Sequence, residues 1–498
     1  MANAKWTIIV FINGENNLMD HAISTYNDLA MIGSTQDINI IVFIDFPTFY
    51  IENSIEKSPY EFLNHKEKWK PSLFLVKKGE FIEVAKPFHT EQSNFRADNL
   101  YDSKYLTLFI KIAVSRYPAD HYGFSYKSHG GQHTDITSKF VEYCQVKLRE
   151  NEIERDSSNN YSIKSEILKA RIDSQLKSHA EGAWDMNTTD GAFVVERNNV
   201  TNKPEQIIVT FTGANSKTLS FKRFSDAVLE GFNQKISILI LDGCWGMSME
   251  MANIFKKVCD YYIASNDETP AKGIGYDRLL QALLSNPNIR PVEAARMVTS
   301  TFFQKRYDDY INYDDPKDLT FFHYGVSLTS INCLRFEVLK DLFKRFCDIT
   351  LDLLNDSKKR LNVKGILKQS RNKCKDFTYQ QNADYYAMYN IDLVWLLENI
   401  IYYSKNHVSE PDFLSLQTIC YELIVEIRLY LIECFVSNNY KKTNLDLDQE
   451  QLESKGISIT FPATTENFQN SIYSKKEVAN FSFGAETGWI KVLEMYYS

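Results

Sequence analysis

No stretch of this 498-residue chain approaches the roughly 20 consecutive apolar residues that a membrane-spanning helix needs. The longest apolar runs, such as Trp6–Ile12, are the length of a strand, so no membrane partner is expected. Basic residues are too few for a protein that grips nucleic acid. The 56 Lys and Arg are outnumbered by 64 Asp and Glu, a net charge of −8, whereas chains that bind phosphate backbone are usually basic. The cysteines (144, 244, 259, 333, 347, 374, 420 and 434) form no CxxC pair and no regular spacing. That argues against a zinc ribbon or a disulfide framework. Most read as small buried apolar residues of a reducing compartment. The N-terminus shows no basic segment, apolar core and small-residue cleavage site in series, so no secretory signal is read and a cytoplasmic location is expected. With 19 glycines and 12 prolines the chain is neither collagen-like nor low-complexity, and it contains no internal repeat.

What is present is an alternation of strand-like and helix-like stretches. Trp6–Ile12 and residues 38–46 are nearly continuous apolar runs, the pattern of strands buried on both faces. Residues 18–32 between them have helical spacing and end at Gly33, a fitting C-cap. Residues 73–84 read as a hairpin turning at Lys78-Gly79, 102–116 as a helix, and 122–126, 236–241 and 261–265 as further strands. Strands separated by helices imply an α/β fold, a mostly parallel sheet with helices on both faces. Right-handed crossovers then bring the C-terminal ends of the parallel strands to one edge. Residues 132–205 break the rhythm as a polar insertion, with a helix-like piece near 162–178. Residues 331–440 read as mostly helical, clearest at 394–403 and 416–435. Residues 456–461 look like one more strand, stopped by Pro462. The expected division is a core over 1–330 and a largely helical C-terminal region over 331–498, whose last strand and helix return to the core.

Two loops at that edge carry chemistry. The strand Tyr122–Tyr126 leads into Lys127-Ser128-His129-Gly130-Gly131, and the strand Ile236–Leu241 leads into Asp242-Gly243-Cys244-Trp245-Gly246. A shared edge would bring His129 near Cys244, the arrangement that activates a thiol nucleophile. The helix-like stretch that follows could assist through its dipole. The N–H groups of Gly130 and Cys244 could hold the oxyanion of a tetrahedral intermediate. A metal site is not expected. His129 and His133 are separated by two glycines rather than displayed on a helix face, and the Glu of an H-E-x-x-H motif is missing.

These motifs, in this order, resemble the clostripain-like cysteine peptidases of the caspase-like clan. The resemblance rests on Trp6–Ile12 followed by Glu15-Asn16-Asn17-Leu18, on Ser128-His129-Gly130, and on Asp242-Gly243-Cys244 with Glu250 beyond it. It continues through Ala264-Ser265-Asn266-Asp267-Glu268, Gly273-Ile274-Gly275-Tyr276, Gly456–Pro462 and Thr487-Gly488-Trp489. There are departures. Glu15 stands where Asp is usual, and Trp245 and Ile274 differ from the common residues. Ser125, Tyr126 and Lys127 replace hydrophobic residues on the histidine strand.

The resemblance implies a caspase-like core and a cysteine endopeptidase with a Cys244–His129 dyad. It implies cleavage after Arg or Lys, with Asp242 as the pocket acid and Asp267 and Glu268 as weaker candidates. Calcium dependence is compatible with the family, although no D-x-D-x-D-G loop is present. The partner is a protein or peptide substrate. The insertion 132–205, or an inhibiting protein, would restrain the enzyme, and cleavage at basic sites such as Lys147, Arg149 and Lys164, or an activating protein, would release it. The competing readings are a catalytically silent caspase-like scaffold and a peptidase of non-basic specificity.

Overall fold

The computed structural model describes residues 3–13, 25, 28–45, 72–85, 103–127, 153–155, 161–163, 183–184, 192–197, 207–212, 221–244, 246–266, 269, 273–311, 326–377, 389–407, 410–437, 454–469, 471–473 and 481–498. Nine strands make one sheet. In chain order they are β1 (Ala4–Asn13), β2 (Ile38–Asp45), β3 (Ser72–Lys77), β4 (Glu80–Ala85), β5 (Ala119–Lys127), β6 (Ile236–Asp242), β7 (Cys259–Ala264), β8 (Val326–Asn332) and β9 (Leu431–Ser437). Their spatial order is β9-β8-β7-β6-β5-β1-β2-β3-β4. The centre is parallel, β2 to β1, β1 to β5, β5 to β6 and β6 to β7. The flanking pairs are antiparallel. Each parallel strand therefore ends at the same edge, where β5 runs toward His129 and β6 toward Cys244.

Side-chain alternation divides the core between two faces. On one, Trp6, Ile8, Val10, Ile238 and Ile240 pack against α4 (Tyr276–Ser285) and α5 (Pro291–Ile311) through Leu279, Leu280, Ala294 and Val298. On the other, Ile9, Phe11, Phe124 and Leu239 meet α1 (Ser103–Arg116), α2 (Phe221–Phe232) and α3 (Met249–Phe255) through Phe109, Val228 and Phe255. That second core continues without a break into α6 (Phe336–Asn355), α7 (Arg360–Asn372), α8 (Leu393–Ser404), α9 (Pro411–Tyr430) and α10 (Trp489–Tyr497).

Several elements differ from the sequence expectation. The helix expected over 416–435 stops at Tyr430, and Leu431–Ser437 is the edge strand β9. The segment Leu-Ile-Glu-Cys-Phe-Val mixes β-branched and aromatic residues with a period-2 component, which a neighbouring strand can use. Residue 330 lies inside β8, so the sheet runs across the position where the core was divided from the C-terminal region. The late strand is only Ser458–Thr460, and it pairs with Asn390–Asp392 in a separate ribbon. Within the insertion, Tyr161–Ile163 is a strand paired with Ile153–Arg155, where a helix was expected to begin. A small antiparallel sheet of Ala183–Trp184, Ala192–Arg197 and Ile207–Thr212 carries the inserted unit past residue 205.

Asp392 closes the ribbon and caps α8. Its carboxylate accepts from the Trp395 N–H at 3.1 Å and the Lys455 N–H at 2.6 Å. Burial raises its pKa from 3.8 to about 6, against these donors. A carboxyl raised in the folded state is worth most when protonated, so its contribution fades as pH climbs from 4 to 6. Asp392→Asn keeps a capping oxygen and removes the titration. Its stability relative to the parent should therefore rise by up to about 3 kcal/mol between pH 4 and pH 7. Urea denaturation of both proteins across that range measures this; a pH-independent difference would contradict it.

Candidate active site

Cys244 is a half-buried thiol just beyond the end of β6. Thr269, just beyond β7, holds it. The Thr269 N–H points at Cys244 Sγ at 3.2 Å, and the Thr269 hydroxyl donates to the Gly243 carbonyl at 2.9 Å. Sγ in turn lies 3.9 Å from the Thr269 carbonyl, so the main chain of Thr269 fixes the position of the sulfur from both its donor and its acceptor. Five other described thiols are unsuited to the role of a nucleophile. Burial pushes Cys259, Cys347, Cys374 and Cys420 well up, and Cys434 to about 11.

The backbone beyond Cys244 is tied down from two directions. The Met247 N–H donates to the Ser265 carbonyl at 2.8 Å, and the Tyr262 hydroxyl donates to the Gly246 carbonyl at 2.6 Å. From the C-terminal region, the Ser458 hydroxyl donates to the Met247 carbonyl at 2.7 Å. Ser248 caps α3, its hydroxyl accepting from the Met251 N–H. The helix expected from Met247 begins at Met249, with its cap Ser248 between it and Cys244. Glu250, in the first turn, is buried. Its Oε1 accepts from the Thr460 N–H at 3.0 Å and the Tyr473 hydroxyl at 2.5 Å. Tyr473→Phe removes the one side-chain donor to that oxygen among the described residues, and a loss of about 1–3 kcal/mol is expected in urea denaturation. An unchanged midpoint would show that Thr460 alone satisfies Glu250.

Asp242 precedes Cys244 by two positions and lies on the α4 face, its side chain 0% exposed. Strand register sets it opposite Lys127, the last residue of β5. Lys127 Nζ lies 3.2 Å from Asp242 Oδ2, with 5% of its side chain exposed. The Tyr276 hydroxyl donates to the same oxygen at 3.0 Å, and the Ile274 N–H donates to Oδ1 at 3.1 Å. Ser125 lies 2.7 Å behind the Tyr276 hydroxyl. Burial, then the charge of Asp242, pushes the Tyr276 phenol well above its ordinary range, so it remains a donor. Gly273, at φ 67°, closes over the pair. A Cβ there would fall 2.1 Å from Lys127 Nζ and 2.3 Å from Asp242 Oδ2, so no larger residue fits without moving them.

The sequence singled out Cys244 and Asp242, and the structure sets them at one strand end. His129, Gly130, Asp267, Glu268 and Trp245 lie outside the described residues. Ile274 stands at the site through its backbone N–H, while its side chain is buried in the core of the α4 face. Thr269 and the Lys127–Asp242 pairing were not anticipated. Thr269 acts partly through its main chain, which leaves no side-chain signature. Among the described residues no group of three or more His, Cys, Asp or Glu side chains could hold a metal ion. No described helix is long and apolar enough to cross a membrane.

A sequence model of peptidase family C11, the clostripain family, matches residues 196–495, more than half of the chain and inclusive of Asp242 and Cys244. The chain belongs to the clostripain family. It is a cysteine peptidase. Solved structures share its fold. A secreted C11 cysteine protease from Bacteroides thetaiotaomicron, bound to an irreversible peptide inhibitor, is 14% identical with a TM-score of 0.54, over 98% of this chain and 99% of that one. An inactive zymogen C11 protease from Parabacteroides distasonis is 11% identical with a TM-score of 0.52, over 97% and 99%. No curated protein matches the sequence.

Proposed function

We propose that this clostripain-family chain is an endopeptidase working through a Cys244–His129 dyad. Cys244 attacks the peptide carbonyl. His129 protonates the leaving amine, then activates water to free the acyl-enzyme. One observation carries the reading. Asp242 and Lys127 are cross-strand partners, and Cys244 and His129 each stand two residues beyond them. Adjacent strands lie about 4.8 Å apart, so two equal extensions from one register support a shared substrate carbonyl. The N–H groups of Gly130 and Cys244 are the proposed oxyanion donors.

Restraint by the 132–205 insertion or by a partner protein, with cleavage of the insertion as the activating event, remains part of the proposal; a similar fold is described for an inactive zymogen. Cleavage after Arg or Lys, with Asp242 recognising the cation, requires that carboxylate to leave Lys127 or to hold two cations. Asp267 and Glu268, outside the described residues, are the other acids that the family resemblance offers for that role. Calcium dependence stays a proposal on resemblance alone, and no step is routed through it. The test is hydrolysis of a mixed fluorogenic peptide library by the full chain, before and after limited trypsin treatment, with Cys244→Ala and His129→Ala alongside. Hydrolysis lost in both variants supports the dyad. Silence in every condition, with no covalent labelling of Cys244, would move the chain to the scaffold reading.

A further inference from the structure

The buried ion pair bears on which peptide bond is cut. This step rests on Cys244 being the nucleophile. The residue before the scissile bond is the one whose carbonyl Cys244 attacks, so its side chain hangs beside that sulfur. Asp242 is two residues from Cys244, and two residues span at most about 7 Å. A substrate cation recognised there would have to reach an Asp242 oxygen. Oδ2 is held by the Lys127 ammonium and the Tyr276 hydroxyl, and Oδ1 by the Ile274 N–H. Gly273 covers the pair from the loop that carries Ile274. A second cation would bring two positive charges to one carboxylate away from water, where like charges repel most strongly.

We propose that Lys127 is a specificity-determining residue: it neutralises Asp242 from within the sheet, so the site takes an uncharged side chain before the scissile bond and disfavours Lys and Arg. The departure from a hydrophobic histidine strand then has a use. Ser125 and Lys127 face α4 two residues apart, Ser125 against Tyr276 and Lys127 against Asp242. The basic positions of the insertion, such as Lys147 and Arg149, would accordingly be cut by a different, trypsin-like protease rather than by this chain itself.

The test compares kcat/KM across fluorogenic peptides that differ only at that residue, using the full chain with and without limited trypsin treatment. The parent should favour uncharged residues over Lys and Arg by about tenfold or more. Lys127→Met should shift that ratio toward Lys and Arg by about tenfold or more, since a substrate cation could then take the place of the lost ammonium as counter-ion to the buried carboxylate. Where that variant does not fold, Lys127→Met with Asp242→Asn decides, because it is neutral like the native pair. It should keep the parental ratio, and a shift of more than about tenfold would overturn the proposal. A parent that prefers Lys or Arg overturns it, as does a folded, active Lys127→Met with an unchanged ratio. Absence of all hydrolysis and of Cys244 labelling instead removes the peptidase reading itself, and this inference with it.

Discussion

Cys244→Ala is expected to lower kcat/KM on every cleaved peptide by about 10⁴-fold or more, and His129→Ala by a similar amount. The two groups act as a unit. Without the sulfur there is no acyl-enzyme, and without the imidazole the leaving amine departs unprotonated. Combining the substitutions should therefore add little to either alone. A thiol probe supplies an independent readout. Iodoacetamide on the native protein at neutral pH should alkylate Cys244 before Cys259, Cys347, Cys374 and Cys420, whose burial keeps them protonated. Mapping the first adduct by mass spectrometry checks this. Preferential labelling of a buried thiol, or activity retained in Cys244→Ala, would contradict the assignment.

Lys127→Met is expected to destabilise the fold by about 3–5 kcal/mol, because Asp242 would be left as a buried charge without its counter-ion. The pair stabilises far less than that figure suggests, since removing both charges also removes both desolvation penalties. Lys127→Met with Asp242→Asn should therefore lie within about 1–2 kcal/mol of the parent, the Ile274 N–H keeping the amide oxygen and the Tyr276 hydroxyl turning toward Ser125 to accept from the amide N–H. Urea denaturation of the two single variants and the double variant forms the cycle. Equal losses in the single and double variants would show that the lysine matters through its packing rather than its charge.

The central sheet was legible because its strands are runs that only a two-sided interior accepts. Trp6–Ile12 and Ile236–Leu241 lie within β1 and β6. The thiol was legible because a strand ending in Asp-x-Cys is a local pattern. What escaped was pairing between distant segments. Lys127 stood out as unusual on its strand, yet its partner lies 115 positions later, and alternation reveals the face a residue occupies without its cross-strand register. Thr269 escaped for a different reason, since its backbone makes the contact with sulfur. The β9 strand was hidden because Pro411–Tyr430 runs into it with no glycine or proline between. There a waiting strand edge, rather than local propensity, ends the helix.

The ties around the nucleophile have a consequence for synthesis. Met247 is held by Ser458, 211 positions later, and Glu250 by Tyr473, 223 positions later. A ribosome therefore completes the thiol loop long before it makes the residues that brace it. Until nearly the whole chain has emerged, the reactive sulfur sits on a loop held by Tyr262, Ser265 and Thr269 but without its C-terminal ties. Nascent chains and prematurely terminated products would then be poor proteases, and the cell is spared a half-made enzyme by the order in which the sequence is read.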